Sequence, residues 1–186
     1  MPGELSRTRP VDLELRGGDG RTIVGIAVPF DQPAEVSDGG WPYIETFRRG
    51  SFAKTIRERG PQGVKTFAKH QRISSLPIGR ASLLREDAIG LYSELRVSKT
   101  VAGDEVLELV RDGALDGLSV GFRAVKDRQV RGGVERLEVA LHEISVVDAA
   151  AYAGAVITGV RSESPYLSPE AAARRLDLLD AVWRTG

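Results

Sequence analysis

Apolar and polar positions alternate along much of the first two-thirds of the chain, with the two-residue period of half-buried strands. Residues 11–16 alternate apolar and charged side chains, and Gly17-Gly18-Asp19-Gly20 turns the chain. Residues 22–30 then repeat Val24, Ile26 and Val28 on one side, so the two runs are read as a hairpin. The stretch 31–40 is rich in Pro, Gly, Asp and Ser and marks a loop. Ser51 is positioned to cap a helix reaching Arg59, with Phe52 and Ile56 four apart on one face and Gly60-Pro61 ending it. Residues 64–69 form a short strand leading to His70, and 71–77 a polar loop. Residues 78–84 and 89–97 pair across the turn 85–88. Thr100 begins an amphipathic helix with the stripe Val106, Leu109 and Val110. Its first turn carries Asp104 and Glu105, its last turn Arg111, and Gly113 closes it.

Strand character returns over 118–125 and 134–147, whereas 149–160 is small and apolar without a clear period. The composition changes at 161–169. Beyond it Ser168 and Pro169 open a short helix with Leu176, Leu179 and Trp183 on one side. The chain is therefore divided into a main domain, 1–161, and a linker with a short amphipathic helix, 162–186. Such a helix is marginal alone, so its stripe is expected to bury against the main domain, a scaffold, or a second copy as a dimer. Many short strands with two or three helices between them predict an α+β fold. A mainly antiparallel β-barrel or sheet fits this order better than strict strand–helix alternation.

Composition narrows the function. The 186 residues suit one domain, and 26 Lys plus Arg balance 26 Asp plus Glu. Zero net charge argues against a partner held by bulk electrostatics, so neither nucleic acid nor a membrane surface is expected. With no cysteine, disulfides and thiolate nucleophiles are ruled out; with only two histidines besides, no structural zinc site is expected, nor any other metal or cofactor. The charged N-terminal residues do not read as a secretory signal, and no run approaches the roughly 18 apolar residues of a membrane span. An intracellular location follows as the expectation.

Gly117-Leu118-Ser119-Val120-Gly121 fits G-x-S-x-G, which on an α/β-hydrolase would be a nucleophile elbow between strand and helix. The next residues, Phe122-Arg123-Ala124-Val125-Lys126, alternate like a strand, and only a short stretch separates Ser119 from His142 for the two remaining triad members. An esterase-like hydrolase is thus the weaker reading. The plain alternative for Ser119 is a strand serine whose flanking glycines permit close packing. His70 stands at a strand end before a loop, and imidazole suits general-base work near neutral pH; otherwise it is a solvated strand-end histidine. In Leu141-His142-Glu143-Ile144-Ser145-Val146-Val147-Asp148, alternation sets Glu143 with Leu141, Ser145 and Val147, and His142 with Ala140, Ile144 and Val146. One of the two polar residues therefore points into an apolar interior and needs a partner there.

These pieces occur together in a recognisable order. Residues 25–161 resemble the prohead protease family of HK97-type tailed phages through Gly25-Ile-Ala-Val-Pro-Phe, Glu45-Thr-Phe-Arg-Arg-Gly-Ser-Phe, Lys69-His70, Pro77-Ile-Gly-Arg and Gly90-Leu91. The two most specific segments are Leu115-Asp-Gly-Leu-Ser-Val-Gly-Phe and Leu141-His-Glu-Ile-Ser-Val-Val-Asp. The resemblance implies a β-barrel flanked by helices, similar to the herpesvirus maturation proteases. It implies a serine endopeptidase with Ser119 as nucleophile and His70 as base. Glu143 matches the family's acidic position as third member; His142 is the alternative, since it would give a serine–histidine–histidine set. It implies a protease in the host cytoplasm, inside assembling proheads, that trims the scaffold segment of the major capsid protein and itself. A catalytically inactive assembly or scaffolding protein is the competing reading. Asp148-Ala-Ala-Ala departs from the Thr-x-Pro-Ala of many relatives.

Overall fold

The computed structural model describes residues 19–37, 41–69 and 76–161. In chain order the elements are β1 (Thr22–Pro29), β2 (Ala34–Val36), β3 (Tyr43–Phe47), α1 (Ala53–Arg59), a 3-10 turn (Pro61–Gly63) and β4 (Lys65–Ala68). They continue with β5 (Gly79–Glu86), β6 (Gly90–Val97), α2 (Val101–Asp112), β7 (Gly117–Val130), β8 (Gly133–Val147) and β9 (Ile157–Arg161). All nine strands belong to one mixed sheet in the order β2-β3-β8-β4-β5-β6-β1-β9, with β7 on the other edge of β8. Among the described residues the only parallel pairs are β3 with β8 and β4 with β8. Among the described residues no helix is long and apolar enough to cross a membrane.

The expected closed barrel is not formed; the sheet is open. Closure needs a ladder of paired main-chain groups, and the segment entering β9 meets β7 only at the Gly117–Val156 bridge and through Leu118 N–H donating to Ala155 O at 3.0 Å. The first arm of the expected hairpin, 11–16, and the tail 162–186 lie outside the described residues. β1 itself pairs with β6 on one edge and β9 on the other. The loop expected over 31–40 contains the short strand β2, antiparallel to β3.

The sheet's long strand is β8, and its two edges are filled differently. β7 pairs with it from Gly117–Val147 to Val130–Gly133. On the other edge β3 covers 133–136 and β4 covers 143–146, leaving 139–141 without a strand partner. Helix α1 fills that gap with side chains and its entry turn. Val139 N–H donates to Ser51 O at 2.9 Å, Thr55 Oγ donates to Val139 O at 3.0 Å and accepts from Leu141 N–H at 3.1 Å, and Arg59 Nη1 donates to Leu141 O at 2.9 Å. Buried main-chain groups require such partners.

Ser51 does not cap this helix. The Glu86 carboxylate at the end of β5 takes the free donors instead, from Gly50 N–H at 2.9 Å and Phe52 N–H at 2.8 Å. A charged acceptor at a helix start also suits the helix dipole. Helix α2 begins as expected, with Thr100 Oγ accepting from Gly103 N–H at 3.1 Å, and ends at Gly113 in the left-handed conformation. Its buried face carries Gly103, Val106 and Leu107, with Val110 packed beside them; Leu109 is 44% exposed and does not belong to the stripe. The core lies against one face of the sheet. Phe47 stacks on Phe52 at 5.3 Å and meets Phe122 and Tyr152 edge-on at 5.1 and 5.7 Å. Ile23, Leu95, Leu118, Ile144 and Val146 are fully buried around them.

Thr55 is the single side chain that joins α1 to the unpaired stretch of β8 through both a donor and an acceptor. Thr55→Val keeps the shape and leaves Val139 O and Leu141 N–H unsatisfied. It is expected to cost about 1–3 kcal/mol per orphaned group, read as a lower urea midpoint with an unchanged slope.

Candidate active site

Pairing across β7, β8 and β4 sets which side chains share a face. Ser119 on β7 stands directly opposite Ser145 on β8, which in turn pairs with Phe67 on β4. One step along, Gly121 stands opposite Glu143, which pairs with Lys65. Ser119, Ser145 and Glu143 thus lie on one face, the serines with Cβ atoms about 5 Å apart. Leu118, Ile144 and Val146 point to the other face and into the core. Ser119 is half-buried. Beyond Leu118 the outer edge of β7 carries no strand among the described residues, which leaves Ser119 at an open rim.

The second glycine of the motif has a steric purpose. A Cβ built on Gly121 would fall 2.5 Å from Glu143 Oε1 and 2.6 Å from its Cγ, because the Glu143 side chain lies across the Gly121 backbone. Glu143 is 2% exposed, so it is the buried residue of the His142–Glu143 pair. His142 turns to the other side. Its Nδ1 is 3.2 Å from Arg59 Nη1, and since a guanidinium only donates, Nδ1 is the acceptor there.

His70 lies outside the described residues; its approach does not. Lys69 N–H donates to Val146 O at 3.0 Å, keeping the chain on β8 one residue from the Ser145 level. Lys69 then adopts φ 55°, a left-handed conformation rare for a residue with a side chain, and the strand path ends there. Lys69 Nζ pairs with Asp148 at 3.2 Å. Asp148's own backbone N–H, and then Lys69, hold that carboxyl below the usual carboxylate range.

Ser119 is followed by continuous strand to Val130, so the helix that an α/β-hydrolase elbow requires is absent and the esterase-like reading falls. What remains is a sheet-borne serine hydrolase, with its candidate serine inside a strand and a buried carboxylate on the neighbouring one. The chain belongs to the Caudovirus prohead serine protease family, whose model matches residues 9–167. It is accordingly a serine protease of phage capsid maturation, acting with capsid proteins inside assembling capsids. Among solved structures it is similar to the bacteriophage T4 capsid assembly protease, with 12% identity and a TM-score of 0.45 over 68% of this chain and 97% of that one. No curated protein sequence matches the chain.

A buried ionic cluster beside this site was missed by sequence reasoning. Arg136 on β8 donates to Glu45 at 2.5 Å, to Asp127 at 2.7 Å and to Tyr43 Oη at 3.0 Å, and its guanidinium lies over Phe122 at 5.5 Å. Burial opposes the Arg136 charge, but Glu45 and Asp127 more than offset it and its pKa lies above the ordinary value. Tyr152 Oη donates to the other Glu45 oxygen at 2.7 Å. Burial, then Glu45, pushes this phenol far up, so it remains a donor. Tyr152 thereby anchors the segment after β8, in which a Cβ on Gly117 would meet Ala150 at 3.2 Å. The only signal in the sequence was an acid, Glu45, in an otherwise apolar and aromatic stretch. Arg136→Met strands the buried Glu45 and is expected to cost about 3–5 kcal/mol, whereas the double change with Glu45→Met should recover much of it; thermal melts of the three proteins decide.

Proposed function

We propose that Ser119 is the nucleophile, His70 its general base and Glu143 the carboxylate that orients His70, as in the HK97-type relatives. The bonds cut lie in the scaffold segment of the major capsid protein and in the chain itself. The observation that carries this reading is the Glu143 carboxyl, 2% exposed and two residue pairs along the β7–β8 ladder from Ser119. A buried carboxylate is the group that stabilises an imidazolium as it takes the serine proton. His70 is peptide-bonded to Lys69. A straight continuation of β4 would carry it away from Glu143 at about 3.3 Å per residue, so the left-handed turn at Lys69 is the kind of break the triad requires.

His142 is less suited to the third role. The Arg59 guanidinium at its Nδ1 places a fixed positive charge where a second one would have to be stabilised. In the reaction, Ser119 Oγ attacks the peptide carbonyl carbon while His70 takes its proton. His70 then returns the proton to the departing amine, and water hydrolyses the acyl-enzyme by the same path reversed.

The test is co-expression with the major capsid protein, reading that protein's mass. Ser119→Ala and His70→Ala should leave it full length. Glu143→Gln should lower turnover by about 10²–10⁴-fold with thermal stability retained, and His142→Ala should be mild. The reverse ranking of the last two would give the third role to His142, and trimming by Ser119→Ala would remove Ser119 from the mechanism.

A further inference from the structure

One cross-strand row sets like charges side by side, where the β7–β8 hairpin opposes unlike ones. On the β7–β8 hairpin, opposed residues carry opposite charges: Lys126 faces Glu138, Asp127 faces Arg136 and Arg128 faces Glu135. On the far side of β8, the row that begins with Gly121 and Glu143 continues through Lys65 on β4, Arg80 on β5 and Arg96 on β6. Three cations therefore stand side by side on adjacent strands, about 4.8 Å apart, an arrangement that destabilises a sheet. Arg96 is compensated by a two-pronged contact with Asp19. Lys65 Nζ reaches only the Gln62 carbonyl, at 3.3 Å, and Arg80 has no hydrogen-bond or ion-pair partner among the described residues. With Lys99 they line a shallow depression of about 440 Å³ floored by Gly79.

We propose that this row is a specificity surface for acidic side chains of the peptide substrate, lying to one side of the bond that is cut. The inference rests on Ser119 as nucleophile. The row shares a face with Ser119, because Glu143 and Ser145 are on one side of β8 and their pairings carry that side to both flanks. From β7, strand β4 is two spacings away and β6 four, about 10 and 19 Å. An extended peptide advances about 3.3 Å per residue, so the acidic side chains would sit roughly three to six residues from the scissile bond. The excess positive charge, costly in the free protein, is relieved when such a segment binds. Nucleic acid is the poorer occupant: three cations in a row about 10 Å long neutralise few phosphates, and the chain has no net positive charge.

The test uses the full chain and a proteome-derived peptide library, with cut sites read by mass spectrometry. Wild type is expected to select Asp and Glu about three to six residues to one side of the cut. For a matched acidic and neutral peptide taken from those cuts, the ratio of kcat/KM should exceed one by about three- to tenfold and shrink at high ionic strength. Lys65→Gln with Arg80→Gln should bring that ratio to near one, and Arg80→Lys should preserve it. Cleavage without acidic selection, or selection that survives the double change, overturns the proposal. It is also overturned if the double change abolishes binding of a fluorescent single-stranded oligonucleotide and leaves cut selection intact. If wild type and Ser119→Ala digest the library alike, the nucleophile reading fails first and takes this inference with it.

Discussion

The structure depends on satisfying both edges of one long strand. The 15 residues of β8 carry a row of donors and acceptors on each side, and buried main-chain groups left unpaired would each cost more than a typical side-chain contact returns. One edge is solved locally by the hairpin with β7. The other is solved by three separate pieces of chain, β3, α1 and β4, that arrive in sequence order along it. Because β3 and β4 both run parallel to β8 on the same edge, one beyond the other, the chain between them moves forward along the strand, and α1 lies on that path. A short helix is thus at once the link between the two strands and the filler of the gap between them.

That solution gathers the ends of three strands. With β4 parallel to β8, the two strands finish at the same end of the sheet. The antiparallel β7 begins there. The end of β4 leads into His70, Ser119 is the third residue of β7, and Asp148 follows the end of β8. Three strand termini converge without any of them having to bend far. The segment after β8 is pinned against the start of β7 by Tyr152 and Glu45, so its approach to Ser119's strand is braced by a buried ion pair two strands away. The cost of burying that pair is spent on fixing a loop that has little apolar side chain of its own.

Much of this was legible in the sequence where information is local. Thr100, Gly113, the β5–β6 hairpin and the strand after Ser119 were read from caps, turns and two-residue alternation. Alternation narrowed the buried polar residue to His142 or Glu143, and only the structure shows that it is Glu143. The parts that could not be read have a physical reason in each case. Ser51 resembled a cap because serine usually is one, but Glu86, far along the chain, takes its donors. Leu109 looked like part of the stripe, yet Leu107 is the residue turned to the core; the stripe Gly103, Val106, Leu107 and Val110 is an equally regular helical pattern, and which of the two is buried depends on packing against distant segments. β3 was overlooked because its central Glu45 breaks an apolar run, and that acid is buried only through Arg136, 91 residues away. The parallel pairings, and the failure of the barrel to close, depend on registers between distant segments that no local window contains.

The motif Gly117-x-Ser119-x-Gly121 illustrates how a short pattern can arise for a reason other than the familiar one. In an elbow the glycines permit a strained turn between strand and helix. Here the chain is extended, and both glycines serve the serine's neighbours. Gly117 admits Ala150 of the returning segment, and Gly121 admits the Glu143 carboxyl. Any side chain at 121 would lift that carboxyl from the sheet and away from the face it shares with Ser119. The spacing of two residues on either side arises from the strand itself, because only those positions share the face of Ser119. Sequence similarity to an elbow therefore comes from strand periodicity and close packing, and the helix that would have made it one is replaced by β7 pairing with β8 well past the site.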